Sequence, residues 1–227
     1  MTGDLRAVLF DMDGLLVDSE PLWFEAERSV MSRLGGRWTP ADQFALIGGS
    51  LAHSVAYMRA RAARPADPEQ IGRWLLDGMA DLVARNGVRL MPGAAGLLAE
   101  LAAAGLRCAL VTSAQRRIME AVIESTGLTF AVTVCAEDVR RGKPDPEPYL
   151  RAAALLGEEP ARCVALEDSP RGIAAAQAAG CPVIAVPSVP LPRGQTAAVV
   201  PTLCEVDLAV LREQARASGQ IGLPGED

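Results

Sequence analysis

The chain has 227 residues, half of them hydrophobic, and a formal net charge of −6. That length and apolar share suffice for the core of one large domain or of a domain with an insertion, while the acidic surplus argues against general attraction to nucleic acid or anionic membranes. No apolar run approaches the ~18 residues of a membrane helix, and the short apolar stretch after Asp4 and Arg6 is no signal-peptide core, so a cytoplasmic protein is expected.

The first element is residues 6–10, a short apolar run that reads as a buried strand. It stops at Asp11-Met12-Asp13-Gly14, which places two carboxylates on the turn leaving the strand's C-terminal end. In open parallel α/β sheets ligands bind at that edge, and two acids there can share a cation while one attacks and the other moves a proton.

Residues 18–87 carry helical patterning alone, at about 21–34, 40–46, 51–63 and 68–85. Since strands bracket this stretch, it reads as an inserted all-helical subdomain, hinged near Asp18 and at Leu90-Met91-Pro92-Gly93, and placed to act as a cap. From residue 94 onward strands and helices alternate. Helices are predicted at 94–104, 116–126, 148–156 and 170–179, each stopped by a glycine: Gly105, Gly127, Gly157 and Gly180. Strands are predicted at 107–111, 131–135, 162–166 and 182–186. The fold expected is α/β, a Rossmann-like parallel-sheet core with helices on both faces, formed by residues 1–17 and 88–213. Residues 214–227, with Gly219, Gly222, Pro224 and Gly225, read as a flexible tail.

The other strand ends carry matching chemistry. Thr112 and Ser113 follow the second strand; alone they would be a helix cap, but beside the two acids they suit a phosphate cradle. Glu167 and Asp168 follow the fourth strand, where Asp168 or Ser169 could also cap the next helix. Carboxylates gathered on one edge repel unless a cation joins them, and oxygen-only ligands on a rigid edge suit Mg2+. Lys143 is the one lysine among 22 basic residues, which hints that a compact ammonium on a flexible stem is needed there. The five cysteines have no metal-ligand spacing and read as buried, reduced thiols. His53, the only histidine, reads as a surface or packing residue with substrate contact as the alternative, and Trp23, Trp38 and Trp74 as packing in the insert, Trp23 being close enough to the hinge to influence specificity.

Taken in order, Asp11-Met12-Asp13-Gly14-Leu15-Leu16-Val17-Asp18-Ser19-Glu20, Val111-Thr112-Ser113, Gly142-Lys143-Pro144-Asp145 and Leu166-Glu167-Asp168-Ser169 resemble the four motifs of the haloacid dehalogenase superfamily. The helical insert is similar to the cap of its β-phosphoglucomutase-like subgroup. This resemblance implies a phosphatase acting on a small phosphomonoester, with Asp11 as nucleophile and Asp13 as proton shuttle. It further implies Met12, Thr112, Ser113 and Lys143 as the phosphate-binding set, and Mg2+ held by Asp11, the Asp13 carbonyl and Asp168, with Glu167 adjacent. Glu20, Trp23 and His53 are the candidates for substrate contact in the cap. The metal acids argue against dehalogenation, and a core position for the sole lysine argues against a Schiff-base mechanism in the cap. The phosphomutase reading remains as an alternative, weakened because Trp23 and Leu51 stand where the mutases carry a histidine and an arginine. A noncatalytic phosphate-binding protein is the third reading. A small phosphorylated metabolite is the expected partner, with no nucleic acid or membrane, and a monomer is the default.

Overall fold

The computed structural model describes residues 4–46, 49–191 and 197–219. They cluster into two compact units, one of residues 1–17, 90–113 and 128–227, the other of residues 18–89 and 114–127.

The first unit is built on a six-stranded parallel sheet. In chain order its strands are β1 (Ala7–Phe10), β4 (Arg107–Val111), β5 (Val132–Val134), β6 (Cys163–Glu167), β7 (Val183–Ala185) and β8 (Ala198–Val199), arranged as β5-β4-β1-β6-β7-β8. Two further strands, β2 (Val17–Asp18) and β3 (Arg89–Leu90), pair in a separate two-stranded sheet. Strand β1 lies between β4 and β6, in register from Ala7 opposite Arg107 and Cys163 to Phe10 opposite Leu110 and Leu166. Being covered on both faces, β1 is buried at all four positions, which explains its unbroken apolar run rather than an alternating one. Successive side chains point to opposite faces. Ala7 and Leu9 join Ala109, Val111 and Ala165 under α7 (Glu147–Leu156) and α8 (Pro170–Ala178), and α5 (Ala94–Ala103) packs with β4 and with α9 (Leu208–Gly219).

The second unit holds α1 (Glu20–Arg33), α2 (Pro40–Phe44), α3 (Leu51–Arg61), α4 (Pro68–Asn86) and α6 (Arg116–Thr126). Its core gathers Val30, Met31, Leu34, Trp38, Val55, Met58, Ile71 and Leu75. A Thr39–Asp42 capping box starts α2, and Asp42 also accepts from the Tyr57 hydroxyl and Arg61, both at 3.1 Å, which ties α2 to α3. Ser50 and Asp67 cap α3 and α4 through their side chains.

Three expectations from the sequence need correction. Helix α6, assigned there to the α/β core, packs with α4; Arg117 pairs with Asp77, and Ser125 Oγ accepts from Val88 N at 3.2 Å. The chain from 214 to 219 is not a tail but the end of α9, anchored by buried Leu211 and Ala215 and by Gln214 donating to the Val183 carbonyl at 3.2 Å; residues 220–227 lie outside the described ones. The cysteines are all free, but only Cys108, Cys135, Cys163 and Cys181 are buried, while Cys204 is exposed. Among the described residues no helix is long and apolar enough to cross a membrane.

Candidate active site

The parallel register aligns the ends of β1, β4 and β6, so the residues leaving those strands meet at one edge. Asp11 N donates to the Leu166 carbonyl at 3.1 Å and Thr112 N to the Val134 carbonyl at 2.9 Å, which carries the backbone pairing one residue past each strand. Asp11, Thr112, Lys143, Glu167 and Asp168 are all buried there. Buried ionic groups at this density need partners, because an unpaired charge in the interior is costly.

Lys143 supplies the central one. Its ammonium donates to Asp11 Oδ1 at 2.5 Å, to the Val111 carbonyl at 2.8 Å and to Glu167 Oε1 at 2.6 Å. Three acceptors saturate the three protons of a lysine. Glu167 Oε1 also accepts from the Tyr149 hydroxyl at 2.5 Å, while Oε2 faces Asp168 N at 3.2 Å and Ser169 Oγ at 3.3 Å. Asp168 Oδ2 accepts from Ser188 Oγ at 2.5 Å. The Lys143 loop is itself held by Arg171, which donates to the Lys143 carbonyl at 2.5 Å.

The turn after Asp11 is shaped by backbone. Leu16 N and Val17 N both donate to the Met12 carbonyl, and Gly14 N to the Val17 carbonyl. Gly14 has φ +83°, and a Cβ at that position would lie 2.2 Å from Asp168 Oδ2, so both conformation and space require glycine. Gly172 is demanded by space alone: its Cβ would fall 1.9 Å from Glu167 Oε1.

The charges do not balance. Burial, then the neighbouring Glu167, Asp168 and Asp13, push Asp11 well above the usual carboxylate range, against the opposing pull of Lys143. Burial and Glu167 lift Asp168 to about 7, with the Ser188 hydrogen bond opposing. Burial alone would lower Lys143, yet Asp11 and Glu167 outweigh it and hold the ammonium above its ordinary range. Burial leads the rise of both aspartates, and the crowding of acids around one ammonium adds to it. The ligand atoms of Asp11, Glu167 and Asp168 lie within 4.8 Å of one another, and an all-oxygen set of this kind fits a hard divalent cation, which would relieve that crowding.

The residues read from the sequence fall in three groups. Asp11, Thr112, Lys143, Glu167 and Asp168 are brought together, with Asp13 half-buried and acting electrostatically on both Asp11 and Asp168. Met12 is buried and Ser113 exposed on the same two turns. The residue at the N-cap of α6 is Gln115, so capping does not account for Thr112 and Ser113. Ser169 caps α8, accepting from Gly172 N at 3.2 Å, which leaves Asp168 free of that task. Glu20, Trp23 and His53 belong to the helical unit. Glu20 begins α1 and accepts from Gln43 Nε2 at 2.9 Å, Trp23 is half-buried on α1, and His53 is exposed in the first turn of α3. Leu51 starts α3.

Tyr149, Ser188 and Arg171 were missed. Ser188 was findable, since it follows β7 at the edge that singled out Thr112 and Asp168, but the surrounding prolines made the stretch look like plain loop. Tyr149 reads as one more apolar position on the buried face of α7, and nothing in the sequence marks Arg171.

Comparison with known proteins identifies the family. Residues 5–180 match the family described as haloacid dehalogenase-like hydrolase. Hexitol phosphatase A of Escherichia coli is 36% identical over 206 residues, covering 90% of each chain. The crystal structure of CbbY from Rhodobacter sphaeroides in complex with phosphate superposes with a TM-score of 0.83 at 29% identity, covering 91% of this chain and 99% of that one. A mutant of the same CbbY in complex with xylulose-(1,5)bisphosphate gives a TM-score of 0.83 at 28% identity, over 91% and 99% of the two chains.

Proposed function

The chain belongs to the haloacid dehalogenase-like hydrolases, as a phosphoric monoester hydrolase among them, and from that premise we propose that it is a Mg2+-dependent phosphatase of small sugar or sugar-alcohol phosphates that works through an aspartyl-phosphate. The observation that carries this reading is the buried Asp11 carboxylate, 2.5 Å from the only ammonium side chain and inside a cluster of acids at a sheet edge.

Asp11 attacks phosphorus, forming a carboxylate–phosphorus bond as the ester bond breaks, and Asp13 protonates the departing oxygen. Asp13 then takes a proton from the water that attacks the aspartyl-phosphate, releasing inorganic phosphate and regenerating Asp11. Thr112 and the amides of Met12 and Ser113 hold the phosphoryl oxygens, and Lys143 offsets the charge that spreads over them. Asp11, the Asp13 carbonyl and Asp168, with Glu167 adjacent, would hold Mg2+, which would supply Lewis-acid polarisation of the phosphoryl group. Substrate choice lies with the helical unit, where Glu20, Trp23 and His53 are the residues to vary. The names of the relatives support the substrate class: one is called a hexitol phosphatase, and another was crystallised with a sugar bisphosphate. Trp23 and Leu51, in place of the mutase histidine and arginine, favour transfer to water over return to the sugar.

The test is release of phosphate from p-nitrophenyl phosphate and a panel of sugar and hexitol phosphates. Wild type turns over with Mg2+ present, and Asp11→Asn does not. Tight binding of a phosphomonoester without turnover would instead identify a binding protein, and bisphosphate-primed interconversion of glucose monophosphates would identify a mutase.

A further inference from the structure

We infer that Tyr149 is a positioning residue for the site: through Glu167, its buried hydroxyl fixes the Lys143 ammonium against Asp11. The kinetic consequence rests on the phosphatase reading; the geometric one does not.

Tyr149 lies in the first turn of α7 and is wholly buried among Ala152, Ala153, Leu156 and Ile173. A phenylalanine would fill that apolar space without bringing in a polar atom, and an unpaired hydroxyl there would be a net cost. What accounts for the hydroxyl is its partner. It donates at 2.5 Å to Glu167 Oε1, the oxygen that also accepts from Lys143 at 2.6 Å.

This shared oxygen determines where the ammonium sits. Glu167 is fully buried, and its other oxygen faces the turn after β6, at Asp168 N and Ser169 Oγ. Donors therefore hold the carboxylate from both ends. On Oε1 the tyrosine and the lysine share the acceptor, so Glu167 cannot turn wholly toward Lys143. The ammonium stays divided among Glu167, the Val111 carbonyl and Asp11 Oδ1. Without the hydroxyl, Oε1 loses a donor and its compensation must come from Lys143, drawing the ammonium toward Glu167 and away from Asp11. The ring contributes separately, its centroid lying 5.1 Å from Lys143 Nζ, and Tyr149→Phe preserves that contact.

The sole lysine of the chain makes this readable. Protein labelled with heavy nitrogen at lysine gives one side-chain ammonium resonance in NMR. In wild type that signal is expected to be sharp and slow to exchange; in Tyr149→Phe it shifts and its protons exchange faster. In parallel, kcat of the variant falls at least about fivefold with KM little changed, the pattern of a lost interaction made in the transition state. If the Phe variant misfolds, Tyr149→Met replaces it for the kcat measurement, since loss of the ring would itself move the ammonium signal. An unmoved ammonium signal overturns the proposal, whatever happens to kcat, since the hydroxyl then does not act through Lys143. A moved signal with wild-type kcat overturns it for catalysis. If wild type hydrolyses no phosphomonoester, the phosphatase reading fails, and the ammonium signal alone decides the role of Tyr149.

Discussion

Asp11 shares its ammonium with Glu167, and space for that residue depends on a side chain that does not exist. Glu167 occupies the volume where a Cβ on residue 172 would be, 1.9 Å from Oε1 and 2.0 Å from Oε2. Gly172→Ala is therefore expected to cost about 1–3 kcal/mol of stability and to lower kcat more than about tenfold, because a displaced Glu167 takes Lys143 with it. A thermal melt and a steady-state assay on the same preparation check both parts; an alanine variant with wild-type kcat would mean that Glu167 does not hold the ammonium. The acids stood out because they follow apolar runs at strand ends, and Lys143 because it is the one lysine of the chain. Tyr149 did not, since a phenol on an apolar helix face looks like packing until its hydrogen bond is seen.

Among the elements, α1 buries a carboxylate. Glu27 is 5% exposed in the helical unit, and its Oε2 accepts from Trp38 Nε1 at 3.0 Å. Burial raises it from 4.5 to about 7, the Trp38 bond opposing and Glu20 adding to the rise. Because the folded-state pKa is the higher one, its contribution to stability is fully present below 4.5 and is lost as pH rises through about 7. At about 1.4 kcal/mol per pH unit, the loss reaches about 3 kcal/mol. Glu27→Gln, which keeps an acceptor for Trp38, is expected to melt higher than wild type above pH 7 and no higher below 4.5; melts that run parallel at every pH would show that Glu27 does not titrate in this range. The long helices and the five longest strands of the sheet were legible from periodicity and glycine stops. The two-residue strands β2, β3 and β8 are too short for any pattern to develop, and α9 was overshadowed by the glycines and proline beyond it. Helix α6 shows the limit of periodicity itself: Ile118, Met119 and Val122 announce a buried face but not the helix that covers it.

At the scale of the molecule, the cluster of buried acids would make a bound divalent cation a stabilising ligand. Chelation is expected to abolish phosphate release reversibly, and Mg2+ to raise the melting temperature with concentration, reaching about 2.7 kcal/mol at a hundredfold excess over its Kd. Asp168→Asn should blunt that shift; a full shift in this variant would place the cation elsewhere. The strands that bracket residues 18–87 led to the reading of an inserted helical subdomain, and nothing in the sequence marks residues 114–127, which lie outside that stretch and cluster with it.

The central place of β1 also orders events in time. Its partners are Arg107–Val111 and Cys163–Glu167, so the strand that ends at Asp11 is synthesised well before the first of its neighbours and longer still before the second. Pairing across such separations is slow to nucleate. Asp11 acquires Lys143 and Asp168 only after both of those later segments have been made. A nascent chain that stops short of those segments carries Asp11 without the ammonium and the acids that surround it, so premature termination yields fragments that contain the first motif and lack the rest of the cluster.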